Sequence, residues 1–324
     1  MAFYSRILKG NNDQRQVNFN PKISVSWVTL SSSALLSIFS VILYSCASFA
    51  GDPFRTTNPR NISAQTESAF KALFEDGNYP QAKTYLIEAK STSQNDPLLP
   101  ALRASLAYTE EDWENMEIYT KETLEIARSI GSKDPLRSNL YLAVGNFLDG
   151  ANEYRKKGAL AALGKLQLVF DYFDKAEKID KNDPELNLIK GYLNLMLAVN
   201  LPFSSPQQAI DNLKSYASPQ YLVNRGIAIA YRDLKEYDLA LNYVNKSIES
   251  TPLNPELYYL RGQILRKKGE KENSLPLLEE AVKNFDIALA KVNQLPQQAV
   301  QKPLQREKRK TLEQIAELGT SSSN

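Results

Sequence analysis

Two consecutive stretches decide the fold, YLVNRGIAIAYRDLKEYDLALNYVNKSIEST at residues 221–251 and PELYYLRGQILRKKGEKENSLPLLEEAVKNF at residues 255–285. They align without a gap when the first is shifted by 34 residues. Each contains two runs of apolar residues at the three- and four-residue spacing of an amphipathic helix. The chain therefore repeats a unit of two helices here, and a repeat of this period predicts a stacked helical solenoid.

The aligned positions of the two stretches also agree in side-chain size. Small residues coincide at three positions, Ala228 with Gly262, Ala240 with Ser274 and Ser247 with Ala281. Larger apolar residues coincide at three more, Tyr231 with Leu265, Val244 with Leu278 and Ile248 with Val282. Antiparallel helices approach closely only where a small side chain faces the crossing point, and bulky neighbours fill the grooves beside it. The pattern resembles the tetratricopeptide repeat, and the resemblance implies an α-solenoid whose concave face binds other polypeptides.

Prolines mark the earlier units of the repeat. Segments of 38, 49, 35 and 36 residues lie between Pro97, Pro135, Pro184, Pro219 and Pro255. The first three prolines each follow an aspartate. An aspartate caps a helix N-terminus and a proline fits the first helical position, so each Asp-Pro predicts the start of a new helix pair. The longest segment has about twelve extra residues around 155–165, and because these residues favour helix we predict lengthened helices there.

These patterns predict an all-α chain with a tetratricopeptide-type α-solenoid of about six helix pairs over residues 63–294, after a linker over residues 51–62. Leu295-Pro296 interrupts the helical pattern. A stripe at helical spacing then follows, made of Leu304, Thr311, Ile315 and Leu318. We interpret residues 295–324 as a helix that caps the last face of the solenoid, followed by a disordered tail from Thr320.

The N-terminus has the charge pattern of a membrane-targeting segment. Residues 1–22 carry four basic side chains and one acidic side chain, and residues 23–50 are uncharged. This order predicts a hydrophobic targeting or transmembrane helix, with a basic cytoplasmic region before it and everything after residue 51 on the non-cytoplasmic side of a bacterial inner or thylakoid membrane. Three fates remain open: cleavage as a signal peptide near Ala50, retention as a membrane anchor, or lipidation at Cys46, whose preceding residues are similar to a bacterial lipobox.

The composition argues against several classes of function. The chain has no histidine and one cysteine, Cys46, so histidine-based catalysis is excluded and thiol chemistry and most zinc sites are not expected after residue 51. Residues 51–324 carry 35 basic and 36 acidic side chains, and this balance argues against nucleic acid as a partner. We therefore predict a protein that is not an enzyme and has no catalytic residue, cofactor or metal.

The resemblance to the tetratricopeptide repeat also implies a binding surface. In that family the first helix of each unit lines the concave groove. Carried over position by position, the groove residues are Tyr192, Arg225, Ile229, Arg232, Tyr259, Gln263 and Arg266. Arginine and tyrosine often anchor protein interfaces, and a row of arginines suits a partner protein or peptide with acidic groups. On this basis, Arg225→Glu with Arg232→Glu should abolish partner capture and leave the helical circular-dichroism signal unchanged.

Two functions fit these features. The first is a non-enzymatic protein-binding scaffold or adaptor in the cell envelope, held to the membrane through residues 23–50. The second is an assembly factor that transiently holds a client subunit of a membrane or photosynthetic complex. Residues 46–86 look like the corresponding part of tetratricopeptide-repeat proteins of the cyanobacterial envelope, and this resemblance implies no particular activity. A hydrolase or transferase in the groove is disfavoured because histidine is absent.

Overall fold

A computed structural model describes residues 51–89, 95–200 and 206–321. In these ranges all regular secondary structure is helical, and the thirteen α-helices form six consecutive pairs and a final single helix. The pairs are α1 (Ala64–Phe74) with α2 (Tyr79–Glu88), α3 (Leu98–Glu110) with α4 (Trp113–Ser129), α5 (Pro135–Lys157) with α6 (Ala159–Ile179), α7 (Pro184–Asn200) with α8 (Pro206–Ser215), α9 (Gln220–Asp233) with α10 (Tyr237–Ser250), and α11 (Pro255–Glu272) with α12 (Leu275–Leu289); α13 is Lys302–Ser321. The predicted all-α solenoid of helix pairs is confirmed.

The aspartates before the prolines begin helices as expected. Asp134 Oδ1 accepts a hydrogen bond from the backbone N–H of Arg137 at 2.9 Å, and Asp183 Oδ1 accepts one from that of Leu186 at 2.8 Å. Pro135 and Pro184 are the first residues of α5 and α7, whereas Pro97 lies one residue before α3. The extra residues of the third unit lengthen both of its helices, which meet at Gly158.

The solenoid also brings together helices that are distant in sequence. Each helix packs on its partner, and neighbouring pairs pack on one another, as in other helical repeats. In addition, the Asn254 side-chain amide donates to the Phe74 carbonyl at 3.1 Å, so the start of α11 contacts the end of α1. Gly77, with φ of +65°, allows this approach, because a Cβ there would lie 2.5 Å from Asn254 Oδ1. The first and sixth helix pairs are therefore in contact, in addition to the contacts between neighbouring pairs.

The last described helix covers the end of the solenoid. Leu304 and Thr311 of α13 are fully buried. A 3₁₀ turn (Val292–Gln294) and a π-helical turn (Gln297–Gln301) interrupt the chain before α13, as Leu295-Pro296 predicted. The helix continues to Ser321 and therefore includes Thr320 and Ser321, which were predicted to be disordered. Residues 322–324 lie outside the described residues.

Residues 1–22 and 23–50, for which the sequence predicts a basic region and a targeting or transmembrane helix, also lie outside the described residues. The targeting or transmembrane helix therefore stays a prediction, as do its cleavage, retention or lipidation at Cys46. Across the three described ranges, every helix is too short or too polar to cross a bilayer.

Replacing either of two glycines of the solenoid by alanine should change the free energy of unfolding, in opposite directions for the two positions. A Cβ on Gly262 would lie 2.4 Å from the ring of the fully buried Phe285, whereas one on Gly164 would meet nothing within 4 Å. Overpacking costs about 1–3 kcal/mol, and alanine regains about 1 kcal/mol over glycine in a helix. We expect Gly262→Ala to lower the free energy of unfolding by about 1–2 kcal/mol and Gly164→Ala to raise it by about 0.5–1 kcal/mol. Urea unfolding followed by circular dichroism measures both, and a stabilised Gly262→Ala protein would contradict the close packing.

Candidate functional site

An apolar cavity of about 300 Å³ lies on the concave side of the solenoid. Most of its lining comes from α1, α3, α5, α7, α9 and α11, including Phe70, Leu98, Tyr141, Leu188, Ile229 and Glu256, and Phe54, Tyr79 of α2 and Phe173 of α6 complete it. The lining is therefore mainly apolar, and the cavity is partly open. We call this space the concave cavity.

Residues 51–62, which we call the entry segment, pack against the helices beside the cavity. Asp52 shapes this segment, because its Oδ1 accepts from the backbone N–H of Phe54 at 2.9 Å and its Oδ2 accepts from that of Arg60 at 3.0 Å. Phe54 lines the cavity and is buried, and its ring meets Phe70 edge-on with centroids 5.0 Å apart. The residues predicted to form a linker thus fold onto the solenoid.

Two arginines of the entry segment bind carboxylates at the N-terminal ends of α5 and α7. Arg60 lies 2.6 Å from Glu185, 3.1 Å from Asp183 and 3.4 Å from Asp134, measured between nitrogen and oxygen atoms. Arg55 also pairs with Asp183. Asp183 and Glu185 are fully buried. We call these five residues the mouth cluster. Carboxylates at helix N-termini are favoured by the helix dipole, and here they also hold two guanidinium groups.

Neighbouring side chains complete the mouth cluster. Tyr141 donates a hydrogen bond to Glu185 at 2.6 Å, and Arg137 pairs with Asp96 at 2.8 Å and approaches Glu185 to 3.8 Å. Burial raises the pKa of the Glu185 carboxyl, and the guanidiniums of Arg137 and Arg60 act to lower it. Burial acts to lower the pKa of Arg60, but Glu185 and Asp183 raise it above its ordinary value. The cluster therefore depends on compensation between buried charges.

A second buried ion pair lies in the wall of the cavity. Arg225 of α9 and Glu256 of α11, the inner pair, are 2.6 Å apart and are 3% and 1% exposed. Tyr79 of α2 donates to Glu256 at 3.1 Å, across 177 residues of sequence. Burial alone would raise the pKa of Glu256, but the Arg225 guanidinium helps to hold it below its ordinary value. Glu256 thus joins the sixth helix pair both to α9 of the fifth pair and to α2 of the first pair.

A third polar group lies between α9, α11 and α13. Arg232 donates to Gln263 at 2.9 Å and pairs with Asp233 at 2.8 Å. Gln263 and Tyr259 each donate to Glu307 of α13 at 2.8 Å. The final helix therefore supplies the acceptor for both residues. In the described ranges, no three acidic side chains come together in a way that would hold a metal ion.

Comparison with known proteins supports the repeat. Residues 255–284 match the sequence profile of the tetratricopeptide repeat. The TPR repeat-containing protein YpiA of Bacillus subtilis (strain 168) is 24% identical over 207 residues, which are 64% of this chain and 44% of YpiA. The chain thus spans less than half the length of this relative. A solved structure of an IFIT1 monomeric mutant with Gppp-AAAA aligns over 73% of this chain and 56% of that chain, with 15% identity and a TM-score of 0.40.

The tetratricopeptide repeat was predicted from these same residues, and that prediction is confirmed. The resemblance to cyanobacterial envelope proteins stays a prediction, since neither relative bears on it.

The structure separates the seven predicted groove residues into two groups. Tyr192, Arg225 and Ile229 line the concave cavity. The other four lie away from that lining and near α13, namely Arg232, Tyr259, Gln263 and Arg266. The predicted basic groove assumed accessible arginines. Each of the three arginines instead pairs with a carboxylate of the chain itself, Arg225 with Glu256, Arg232 with Asp233 and Arg266 with Glu270.

Sequence reasoning missed the groups that define the mouth of the cavity. Asp183 was interpreted only as a helix cap, yet one of its oxygens caps α7 and the other accepts from Arg60. Phe54 and Arg60 lie in a segment that carries no repeat pattern. The segment contains two arginines and a phenylalanine, but no local rule joins them to Asp183 and Glu185, which lie more than 120 positions away.

Proposed function

We propose that this protein is a non-enzymatic binding scaffold whose concave cavity and mouth cluster hold a polypeptide segment. One observation carries the proposal: the chain's own entry segment already binds there. Phe54 enters the apolar cavity, and Arg55 and Arg60 bind the acidic groups around its opening. This surface therefore has the shape and chemistry to recognise a peptide, and the tetratricopeptide repeat supports the same class of function.

The entry segment also indicates which peptides would fit. Its bound groups are one aromatic ring and two guanidiniums, and its receptor carboxylates come from Asp134, Asp183 and Glu185. Arginine binds such carboxylates by paired, charge-assisted hydrogen bonds. We therefore propose a partner segment with an aromatic residue and arginine in place of the acidic partner expected from the sequence.

The proposed location remains the cell envelope. Gly51 is the first described residue, and its backbone N–H donates to Glu67 at 2.7 Å, close to the entry segment. If residues 23–50 are retained as an anchor, the anchor is joined to the cavity opening by the entry segment. N-terminal sequencing of the mature protein tests this arrangement, since a start at residue 51 would show that the anchor is removed.

The alternative, an assembly factor, gains support from the same contact. A client must displace Phe54 and Arg60 from the opening, so part of its binding energy would be used in that exchange. Such competition favours transient binding over a permanent complex. Recovery of one partner in equal amount after mild-detergent purification would support the scaffold, and capture of unassembled precursors alone would support the assembly factor.

Weakening the entry segment should strengthen peptide binding. We expect Phe54→Ala in the full chain to increase the affinity for a labelled GDPFRTTNPRNI peptide about tenfold, because it favours the open form that can accept the peptide. Fluorescence anisotropy measures the affinity. Tyr216→Ala, which removes an exposed aromatic ring, is the control and should have no effect. If the peptide binds the Phe54→Ala chain and the unaltered chain with equal affinity, the proposed binding mode is contradicted.

A further inference from the structure

We propose that the exposed face of α6 binds a second copy of this chain, with the two α6 helices packed antiparallel. This goes beyond the proposed function, because it concerns the inserted part of the third helix pair and neither the concave cavity nor the mouth cluster. The proposal rests on exposed apolar side chains, on their spacing along the helix and on the charges at the two ends of the face.

The first half of α6 extends beyond the part of the helix that packs on the solenoid. Val169 and Phe173, in the second half, are buried. From residue 160 to residue 168, all of which the structure describes, every side chain is at least partly exposed. Leu160 is 85% exposed and Leu163 is 51% exposed. Single exposed leucines are ordinary, but exposed apolar side chains that lie together mark interaction surfaces.

The exposed residues follow the spacing of a seam between two helices. Intervals of three and four residues alternate along α6 through a row of exposed side chains, Leu160, Leu163, Gln167, Phe170 and Asp174. This heptad spacing places the five side chains on one face of the helix, which we call the α6 face. In an antiparallel pair, Leu160 meets the partner's Phe170, and Leu163 meets the partner's Gln167. The face is therefore complementary to itself, as a two-fold dimer requires, and the polar Gln167 fixes the register.

The charges at the two ends of the α6 face select the antiparallel arrangement. Residues 155–157 are Arg-Lys-Lys and directly precede α6, and no side chain of the described residues caps the start of this helix. The two lysines form ion pairs at the surface, which are weak and leave both cations partly exposed. An antiparallel partner brings its Asp174 to this basic end, where the helix dipole also favours a carboxylate. A parallel partner would place like charges together at both ends, and an anionic lipid surface would meet the exposed Asp171 and Asp174.

The first test is the oligomeric state of the full chain in detergent, measured by analytical ultracentrifugation at protein concentrations of about 1–100 μM. Leu160→Asp with Leu163→Asp should raise the dissociation constant of the dimer about a hundredfold, because each dimer loses four leucine contacts. Ile87→Asp with Leu253→Asp is the matched control and should leave that constant unchanged, since these side chains are 68% and 62% exposed outside the α6 face. All four positions are largely exposed, so both proteins should unfold thermally like the unaltered chain.

Cysteine cross-linking tests the orientation of the two helices. In a Cys46→Ser chain the introduced cysteine is the only one, and Lys157→Cys and Asp174→Cys place it at opposite ends of the α6 face. A short bismaleimide should link the two variants to each other when they are mixed, and should link neither efficiently to itself. Ser250→Cys, at an exposed position of α10, is the control and should link to neither variant.

Three outcomes would overturn the proposal, whatever the result with the peptide. A chain that is monomeric at every concentration would leave the α6 face to a different protein or to lipid. A dimer that Leu160→Asp with Leu163→Asp leaves unchanged would be formed by another surface. Cross-links of Lys157→Cys and Asp174→Cys only to themselves would show that the two helices lie parallel.

Discussion

Replacing Arg60 by alanine should lower the free energy of unfolding by about 3–5 kcal/mol, the usual effect of removing one partner from a buried ion pair. The guanidinium is 7% exposed and contacts Glu185, Asp183 and Asp134. Without it, two fully buried carboxylates keep only part of their compensation, from Arg55 and Arg137. Urea unfolding monitored by circular dichroism measures the loss.

The control for this variant is Arg309→Ala, which removes another arginine from an ion pair. Arg309 lies 3.7 Å from Glu313, and both side chains are at least 60% exposed. Exposed pairs within one helix contribute only about 0.3–0.5 kcal/mol, so this variant should unfold almost like the unaltered protein. Hydrogen exchange gives a second readout: in Arg60→Ala, amides of residues 51–62 should lose protection before those of α9. If Arg60→Ala is no more costly than Arg309→Ala, the mouth cluster does not hold the entry segment.

The helices and their order could be predicted from the sequence because they follow local rules. An aspartate before a proline sets the start of α5 and of α7. The insert of the third unit extends its helices because its residues favour helix at every position except Gly158 and Gly164. The small residues at Gly262 and Ala281 lie where α11 and α12 cross, as the alignment at 34 residues required. Each of these signals lies within one unit of the repeat.

The contacts between the first and the sixth helix pairs could not be predicted in the same way. They depend on small rotations between successive pairs, which add up over six units and leave no local pattern in sequence. Those rotations bring Tyr79 to Glu256 and Arg60 to Glu185. Tyr192, Arg225 and Ile229 line the cavity, but their surroundings were not foreseen, and their role in a protein-binding groove stays a prediction. Arg225, which the repeat pattern alone assigns to an accessible groove, is buried beside Glu256.

This difference changes what the chain is expected to recognise. A concave row of accessible arginines would attract acidic peptides, but the arginines of the predicted groove pair with carboxylates of the chain itself, and a second set of ion pairs lies at the mouth cluster. There the solenoid contributes carboxylates and the entry segment contributes the cations. We therefore propose a partner with basic groups in place of the acidic partner that the sequence suggested. The residues for mutation should therefore be chosen from the ion pairs and the burial that the structure shows.

Reversing the charge of Arg225 should for this reason damage the fold. Arg225→Glu would place two carboxylates in the wall of the cavity, since Glu256 lies 2.6 Å from the native guanidinium. Removing a partner from a buried pair alone costs about 3–5 kcal/mol, and the added repulsion increases that loss. Because domains are stable by only about 5–15 kcal/mol, we expect the helical signal to decrease and thermal unfolding to begin at a clearly lower temperature. The sequence-based expectation of an unchanged circular-dichroism signal is not retained.

A compensated variant shows whether this loss comes from the inner pair. Arg225→Met alone should cost about 3–5 kcal/mol, whereas Arg225→Met with Glu256→Gln should regain at least half of it, because no buried charge is left and the amide oxygen still accepts from Tyr79. Arg309→Glu is the surface control, where a like charge four residues from Glu313 costs only about 0.2–0.5 kcal/mol. Thermal and urea unfolding of the four proteins measures these differences. If Arg225→Glu is as stable as Arg309→Glu, Arg225 is accessible to solvent and the acidic-partner hypothesis is restored.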